Sequence, residues 1–342
     1  MDSIASRPGR PERQRAGEAT ARNVFMFSGQ GSQYFQMGRL LYEEGGTFAR
    51  WMRRMDTVVR DLGGPAVLDL VYGDRSKAAP FDDLRASHPA IFMVEYALAQ
   101  CLLEQGIEPD LTLGVSLGTV AAAVTAGCLE MEEALGWVVR QAAFVAEHGV
   151  PGGMIGVLSA PALHLLPALQ QRSVIAAFNG PAHWVLAARA GDLPSIEADL
   201  KAHGVSFASL PVRYPFHSPW LFQDAACAAT ELPAPQARAA RLPLLCCAAG
   251  GQVQTLSPDQ LWRAALAPIH FDRTVAATEA GWTDCRYIDV GPSGTLAALL
   301  KPLLPAGSAS RVHRVLSPYG GERTALDALL SAAAPSAPRA AS

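Results

Sequence analysis

Apolar residues fall along the chain in short runs and helical stripes, separated by breaks rich in Gly and Pro. The four apolar positions 24–27 run into Ser28-Gly29-Gln30-Gly31, which predicts a buried strand and a glycine-rich turn. Residues 37–59 carry apolar positions at helical spacing, and residues 87–103 predict a long apolar helix. A short strand over 111–113 leads into Gly114-Val115-Ser116-Leu117-Gly118. An Ala-rich helix is expected over 119–129, and another over 132–148 that stops at Gly149, Pro151, Gly152 and Gly153.

The texture then changes. Strands are expected over 154–158, 174–177, 184–187 and 207–212, with helices over 161–169 and 193–203. Strands and helices alternating over so short a stretch predict a small α+β subdomain. The chain next rejoins the first unit, with a helix after Pro219, strands near 242–246 and 286–290, and a helix after Gly294.

At 342 residues the chain is long for one core, and 50% hydrophobic with 17% charged residues makes it globular. A net charge of −3 offers no basic surplus for nucleic acid or for an acidic membrane surface. No apolar run reaches the roughly 18 residues of a membrane span. The six cysteines are scattered without a C-x-x-C pair, so no disulfide framework and no metal site are expected, and reduced thiols suit the cytoplasm. Residues 1–21 are Arg-rich but lack the apolar stretch of a secretory signal, and read as a disordered lead-in; residues 331–342 read as a frayed tail.

Gly114-Val115-Ser116-Leu117-Gly118 fits G-x-S-x-G between a strand and a helix. A Ser on such a turn sits at a helix N-terminus, where free N–H groups and the macrodipole favour an oxyanion. The same residues would equally suit a capping Ser among packing glycines. A hydroxyl nucleophile needs a base. Eight His are present, and His217, between Pro215 and Pro219, is by pattern no better than the others.

Four motifs in order alter that balance: Phe27-Ser28-Gly29-Gln30-Gly31-Ser32-Gln33, Gly114–Gly118, Phe216-His217-Ser218 and Asp289-Val290-Gly291-Pro292. Together they resemble the malonyl-CoA:ACP transacylase family, which includes polyketide synthase acyltransferases, over about residues 22–330. The resemblance implies an α/β fold: an α/β-hydrolase-like core (22–150 and 216–330) with an inserted ferredoxin-like subdomain (151–215). It implies Ser116 as nucleophile, His217 as its base, and the backbone N–H groups of Gln30 and Leu117 as oxyanion hole. It further suggests the His270 carbonyl as the group orienting His217, with Asn179, Val115, Phe216 and Trp220 at the acyl pocket.

One departure bears on substrate. Malonyl transferases of this family hold the extender carboxylate with an Arg on the second helix after the nucleophile. Counting from Ser116 through Ala126-Gly127 and Ala134 puts Gln141 at that position; a shift of one residue would bring Arg140 there instead. Gln brings no charge, and a malonyl carboxylate would be buried without a counter-ion. A Gln here resembles the acyl hydrolases of trans-acyltransferase polyketide synthases, which clear stalled acyl groups from carrier proteins. The expectation is therefore a monomeric acyl-ACP hydrolase acting on neutral acyl groups. It would need no cofactor beyond the phosphopantetheine arm of its partner, the acyl carrier protein. A malonyl or other acyltransferase is the alternative, and a non-catalytic carrier-docking scaffold a third reading.

Overall fold

The computed structural model describes residues 21–223 and 232–333; the expected disordered segments at residues 1–20 and 334–342 lie outside them. Residues 331–333 belong not to a tail but to a closing helix, Glu322–Ala333, which buries Leu326 and Leu329. Among the described residues the strands are β1 (Arg22–Phe27), β2 (Leu111–Gly114), β3 (Gly152–Leu158), β4 (Ser173–Gly180), β5 (His183–Arg189), β6 (Ser206–Ser209), β7 (Leu244–Cys246), β8 (Gly251–Val253), β9 (Ile269–His270), β10 (Cys285–Asp289) and β11 (Arg311–Arg314).

The larger sheet has the order β11-β10-β1-β2-β7-β8. Its first five strands pair in parallel, and β8 folds back antiparallel on β7. A parallel strand is covered on both faces, so it reads as a continuous apolar run. Val24 through Phe27 do so, and all four are fully buried. Strands β1 and β2 end level, with Phe27 opposite Gly114, so the turns that leave them lie side by side. Ligands of open parallel sheets bind at this end, beyond the strand carboxyl termini.

Helices cover both faces. Leu84–Glu104 is apolar nearly all round, and its buried polar side chains are Ser87, His88 and Glu95. The Ala-rich helix Gly118–Thr125 is shorter than the pattern suggests, because Gly127, at φ 76°, turns the chain away. Met131–His148 buries Ala134, Trp137, Val138, Gln141 and Val145, a stripe at helical spacing.

The smaller sheet has the order β6-β3-β5-β4-β9. Its first four strands are antiparallel and follow the spatial order of a ferredoxin-like unit. A core of its own, with Trp184, Ile155, Leu186 and Ile196, lies under the helix Leu193–Ala202. Two details differ from expectation. The helix expected over 161–169 breaks into two short turns, Pro161–Leu165 and Pro167–Gln170. Leu166 between them is extended, as the residue before a proline tends to be. A fifth strand, β9, arrives from outside the expected 151–215 boundary and pairs with β4 in parallel. Residues 219–223 form turns rather than the start of a helix, and residues 224–231, where that helix would continue, lie outside the described residues.

The helix Gly118–Thr125 starts against the turn that leaves β1. A Cβ on Gly118 would stand 2.3 Å from both the Phe27 and the Ser28 carbonyl oxygens. Gly118→Ala should therefore destabilise the protein by about 1–3 kcal/mol. Gly281→Ala, whose Cβ meets nothing within 4 Å, should stay within about 0.5 kcal/mol of the parent. Urea unfolding of the two variants checks the contrast.

Candidate active site

Ser116 lies between β2 and the helix Gly118–Thr125 with φ at 55°, in the left-handed region that a non-glycine residue rarely enters. This strained turn lifts the side chain clear of the helix. Its Oγ stands 2.9 Å from His217 Nε2. His217 is also left-handed, at φ 58°. Its backbone N–H donates to the Ala265 carbonyl at 2.9 Å. Its Nδ1–H donates to the Ala267 carbonyl, also at 2.9 Å. That bond sets the tautomer, because a proton held on Nδ1 leaves Nε2 free to accept from Ser116. His217 is 3% exposed, and burial pushes its pKa down to about 4, with the Ala267 carbonyl opposing. The ring is therefore neutral, as a general base must be.

The turn after β1 closes on Ser116 from the other side. A Cβ on Gly29 would sit 2.7 Å from the Ser116 Cβ, so only glycine allows the approach. The next residue, Gln30, and Leu117 both line the cavity at Ser116. Among the described residues neither the Gln30 N–H nor the Leu117 N–H has an acceptor. The turn is anchored from below by Glu95, whose Oε1 accepts from Ser28 N–H at 2.6 Å and Ser28 Oγ–H at 2.8 Å. Glu95 is fully buried, and burial pushes its pKa well above the usual carboxylate range.

The cavity beside Ser116 is about 20 Å³, near the volume that admits one water. Its walls include His88, Trp137, Gln141, Phe216 and Leu261. Trp137 belongs to an edge-to-face cluster with Trp262, Phe144 and Phe222 that braces the wall behind it. Gln141 points inward because it lies on the buried stripe of its helix. Arg140, one residue earlier and about 100° around the helix, is half-buried and does not line the cavity. Its guanidinium lies over Gly136, where a Cβ would stand 3.1 Å from Nη1.

Several candidates take other places. The carbonyl that orients His217 is that of Ala267, not His270. The His270 carbonyl accepts from Thr274 Oγ1, and its ring stacks on Phe178. Asn179 is outside the cavity lining, and its Nδ2–H donates to His183 Nδ1 at 3.0 Å. Trp220 is drawn beneath the Arg189 guanidinium, 4.9 Å from its ring centre. Val115 packs into the core beneath the large sheet rather than into the cavity. Glu95 escaped the sequence reading, and His88 figured in it only as one of eight eligible histidines, although each is a polar residue inside an apolar run. Among the described residues no three His, Cys, Asp or Glu side chains converge as a metal site would require. No described helix is long and apolar enough to cross a membrane.

Residues 24–301 match the family model for the acyl transferase domain. The chain belongs to the acyltransferase-domain family. The polyketide biosynthesis acyltransferase homolog BaeD of Bacillus velezensis is 38% identical over 314 residues, covering 90% of this chain and 97% of that protein. Its counterpart PksD of Bacillus subtilis is 34% identical, covering 87% of this chain and 93% of that protein. The acyltransferase domain from the second module of the salinomycin polyketide synthase superposes with a TM-score of 0.77 at 28% identity, over 92% of this chain and 73% of that one. The acyltransferase fold, an α/β-hydrolase-like core with a smaller subdomain, is thus the fold of this chain.

The His217 ring loses its neutral form only as pH falls through about 4, rather than through the ordinary 6.5. Acylation of Ser116 by an acyl-pantetheine thioester should hold its rate from about pH 8 down to about pH 5 and fall below that. Single-turnover acylation across this range, followed by intact-protein mass, reads the limb directly.

Proposed function

We propose that the protein is an acyl-ACP hydrolase that frees neutral acyl groups from the carrier proteins of a polyketide synthase. The observation that carries this reading is Gln141. Among the described residues lining the cavity at Ser116 none is cationic, and counting from Ser116 gives Gln141 the position that the family resemblance assigns to a carboxylate-binding Arg. A malonyl carboxylate there would be buried unpaired, at an effective penalty of several kcal/mol. A neutral acyl group meets no such penalty.

The chemistry follows from the geometry. Ser116 Oγ attacks the thioester carbonyl carbon as His217 Nε2 takes its proton. The Gln30 and Leu117 N–H groups stabilise the oxyanion, each such donor contributing about 10²–10³ in rate. The C–S bond breaks, and His217 returns the proton to the departing pantetheine thiol. A water then gives its proton to His217 and attacks the ester. The Ser116 Oγ leaves with that proton, and the free acid departs. The names of the relatives, acyltransferase homologs of polyketide biosynthesis, support a carrier-bound substrate.

Acetyl-, butyryl- and malonyl-loaded carrier protein should be incubated with the enzyme, with and without a second, unloaded carrier, and followed by mass spectrometry. The expected result is release of acetate and butyrate as free acids, malonyl left in place, and no activity in Ser116→Ala. Rapid malonyl loading and transfer to the second carrier, with slow hydrolysis, would sink the proposal and make the protein an extender transferase.

A further inference from the structure

The wall facing Ser116 has more hydrogen-bonding capacity than the dyad uses. Three side chains from three separate elements end there: Gln30 from the turn after β1, His88 from Leu84–Glu104, and Gln141 from Met131–His148. Neither polar atom of the Gln30 amide has a partner among the described residues, and the His88 ring nitrogens and Gln141 Oε1 make no well-formed hydrogen bond there, although His88 and Gln141 lie within each other's reach. His88 is 2% exposed and Gln141 3%, so bulk solvent does not satisfy them. A buried polar atom left unpaired carries an uncompensated desolvation penalty. Several such atoms converging on one small cavity mark a site for a polar ligand, since apolar side chains would fill the same space without that penalty.

The chemistry of the set narrows the ligand. Gln141 Oε1 only accepts, while the Gln30 amide both donates and accepts. His88 is neutral, burial pushing its pKa down to about 4 with nearby Gln141 opposing, and so presents one donor and one acceptor. The partner for such a wall must donate as well as accept. A hydrocarbon does neither, and a carboxylate only accepts. An O–H group does both. The size agrees, since about 20 Å³ takes a single water-sized group.

We propose that His88, Gln141 and Gln30 form a binding site for one O–H group beside the acyl ester on Ser116. Two sources share this chemistry: a water, or a hydroxyl carried by the acyl chain. The proposal rests on the acyl-hydrolase reading and specifies what that reading leaves open. A water held here gives its proton to His217, and its oxygen bonds to the ester carbonyl carbon. The bond from that carbon to Ser116 Oγ breaks, and His217 returns the proton to Oγ. A chain hydroxyl held here makes hydroxyacyl groups the preferred substrates and takes no covalent part.

The test uses the full chain with carrier protein loaded with butyryl or 3-hydroxybutyryl groups. Acyl-Ser116 formation and acid release are timed separately by mass spectrometry. The variants are His88→Phe, which keeps a ring against Phe216, and Gln141→Met, which keeps the length of the side chain. His88→Gln, which restores a donor and an acceptor, serves as rescue and as the second variant should His88→Phe not fold. If water is the occupant, His88→Phe and Gln141→Met accumulate acyl-Ser116 from both substrates, with release slowed about tenfold, and His88→Gln recovers most of the rate. If the chain hydroxyl is the occupant, the parent acylates about tenfold faster from 3-hydroxybutyryl than from butyryl carrier, and the first two variants erase that ratio. Folded variants that change neither the release rate nor the ratio would overturn the proposal. Acyl transfer to a free pantetheine thiol in place of hydrolysis would defeat the hydrolase reading and the water arm. The 3-hydroxybutyryl ratio would still decide the site.

Discussion

The contact on which the active site depends is between two stretches of backbone. The turns leaving β1 and β2 approach so closely that Gly118 abuts the Phe27 and Ser28 carbonyls and Gly29 abuts Ser116. The candidate site is built on this approach. It sets two N–H groups from different strands beside one hydroxyl, and it requires the left-handed bend at Ser116. The parallel pairing of β1 and β2 delivers both turns to the same edge, and Glu95 fastens the first of them to the helix beneath. A side chain at either glycine would push apart the two turns that bring Gln30 and Leu117 to the cavity at Ser116.

A second theme is neutrality. His217 and His88 are uncharged because they are buried, and burial opposes ionisation of Glu95. Asp289, below the same turn, accepts from the Gly291 and Ala297 N–H groups, yet burial still moves its pKa up to about 6. The residues that line the cavity at Ser116 are therefore uncharged near neutral pH, while Asp289, below the turn, is ionised above about pH 6. Such a site has little to offer an anion, and its hydrogen bonds gain strength from the low dielectric.

Much of this was readable in the sequence because the relevant residues obey local rules. G-x-S-x-G between a strand and a helix predicts the strained Ser116 turn, and helical spacing puts Gln141 rather than Arg140 on the buried stripe. The strands of the small sheet were legible from their apolar runs. What was missed has physical causes. A backbone carbonyl has no side-chain signature, so Ala267 could not be told from His270. Trp220 and Asn179 stand near site motifs in the chain, but local partners, Arg189 and His183, hold them elsewhere. His88 and Glu95 did leave a signal, as polar residues in an otherwise apolar helix. The pairing of β9 with β4 could not be foreseen, because two residues make too short a run to register as a strand.

That short strand ties the small sheet to the segment that holds His217. The carbonyls of Ala265 and Ala267 hold His217, and two residues later the chain enters the small sheet as β9, beside Ala177 and Phe178. The bond from His217 to Ala267 closes a loop of 50 residues, and that from Ser116 to His217 closes one of 101. Local opening of that edge would disturb the segment whose carbonyls hold His217, so the small sheet and the imidazole share one point of support.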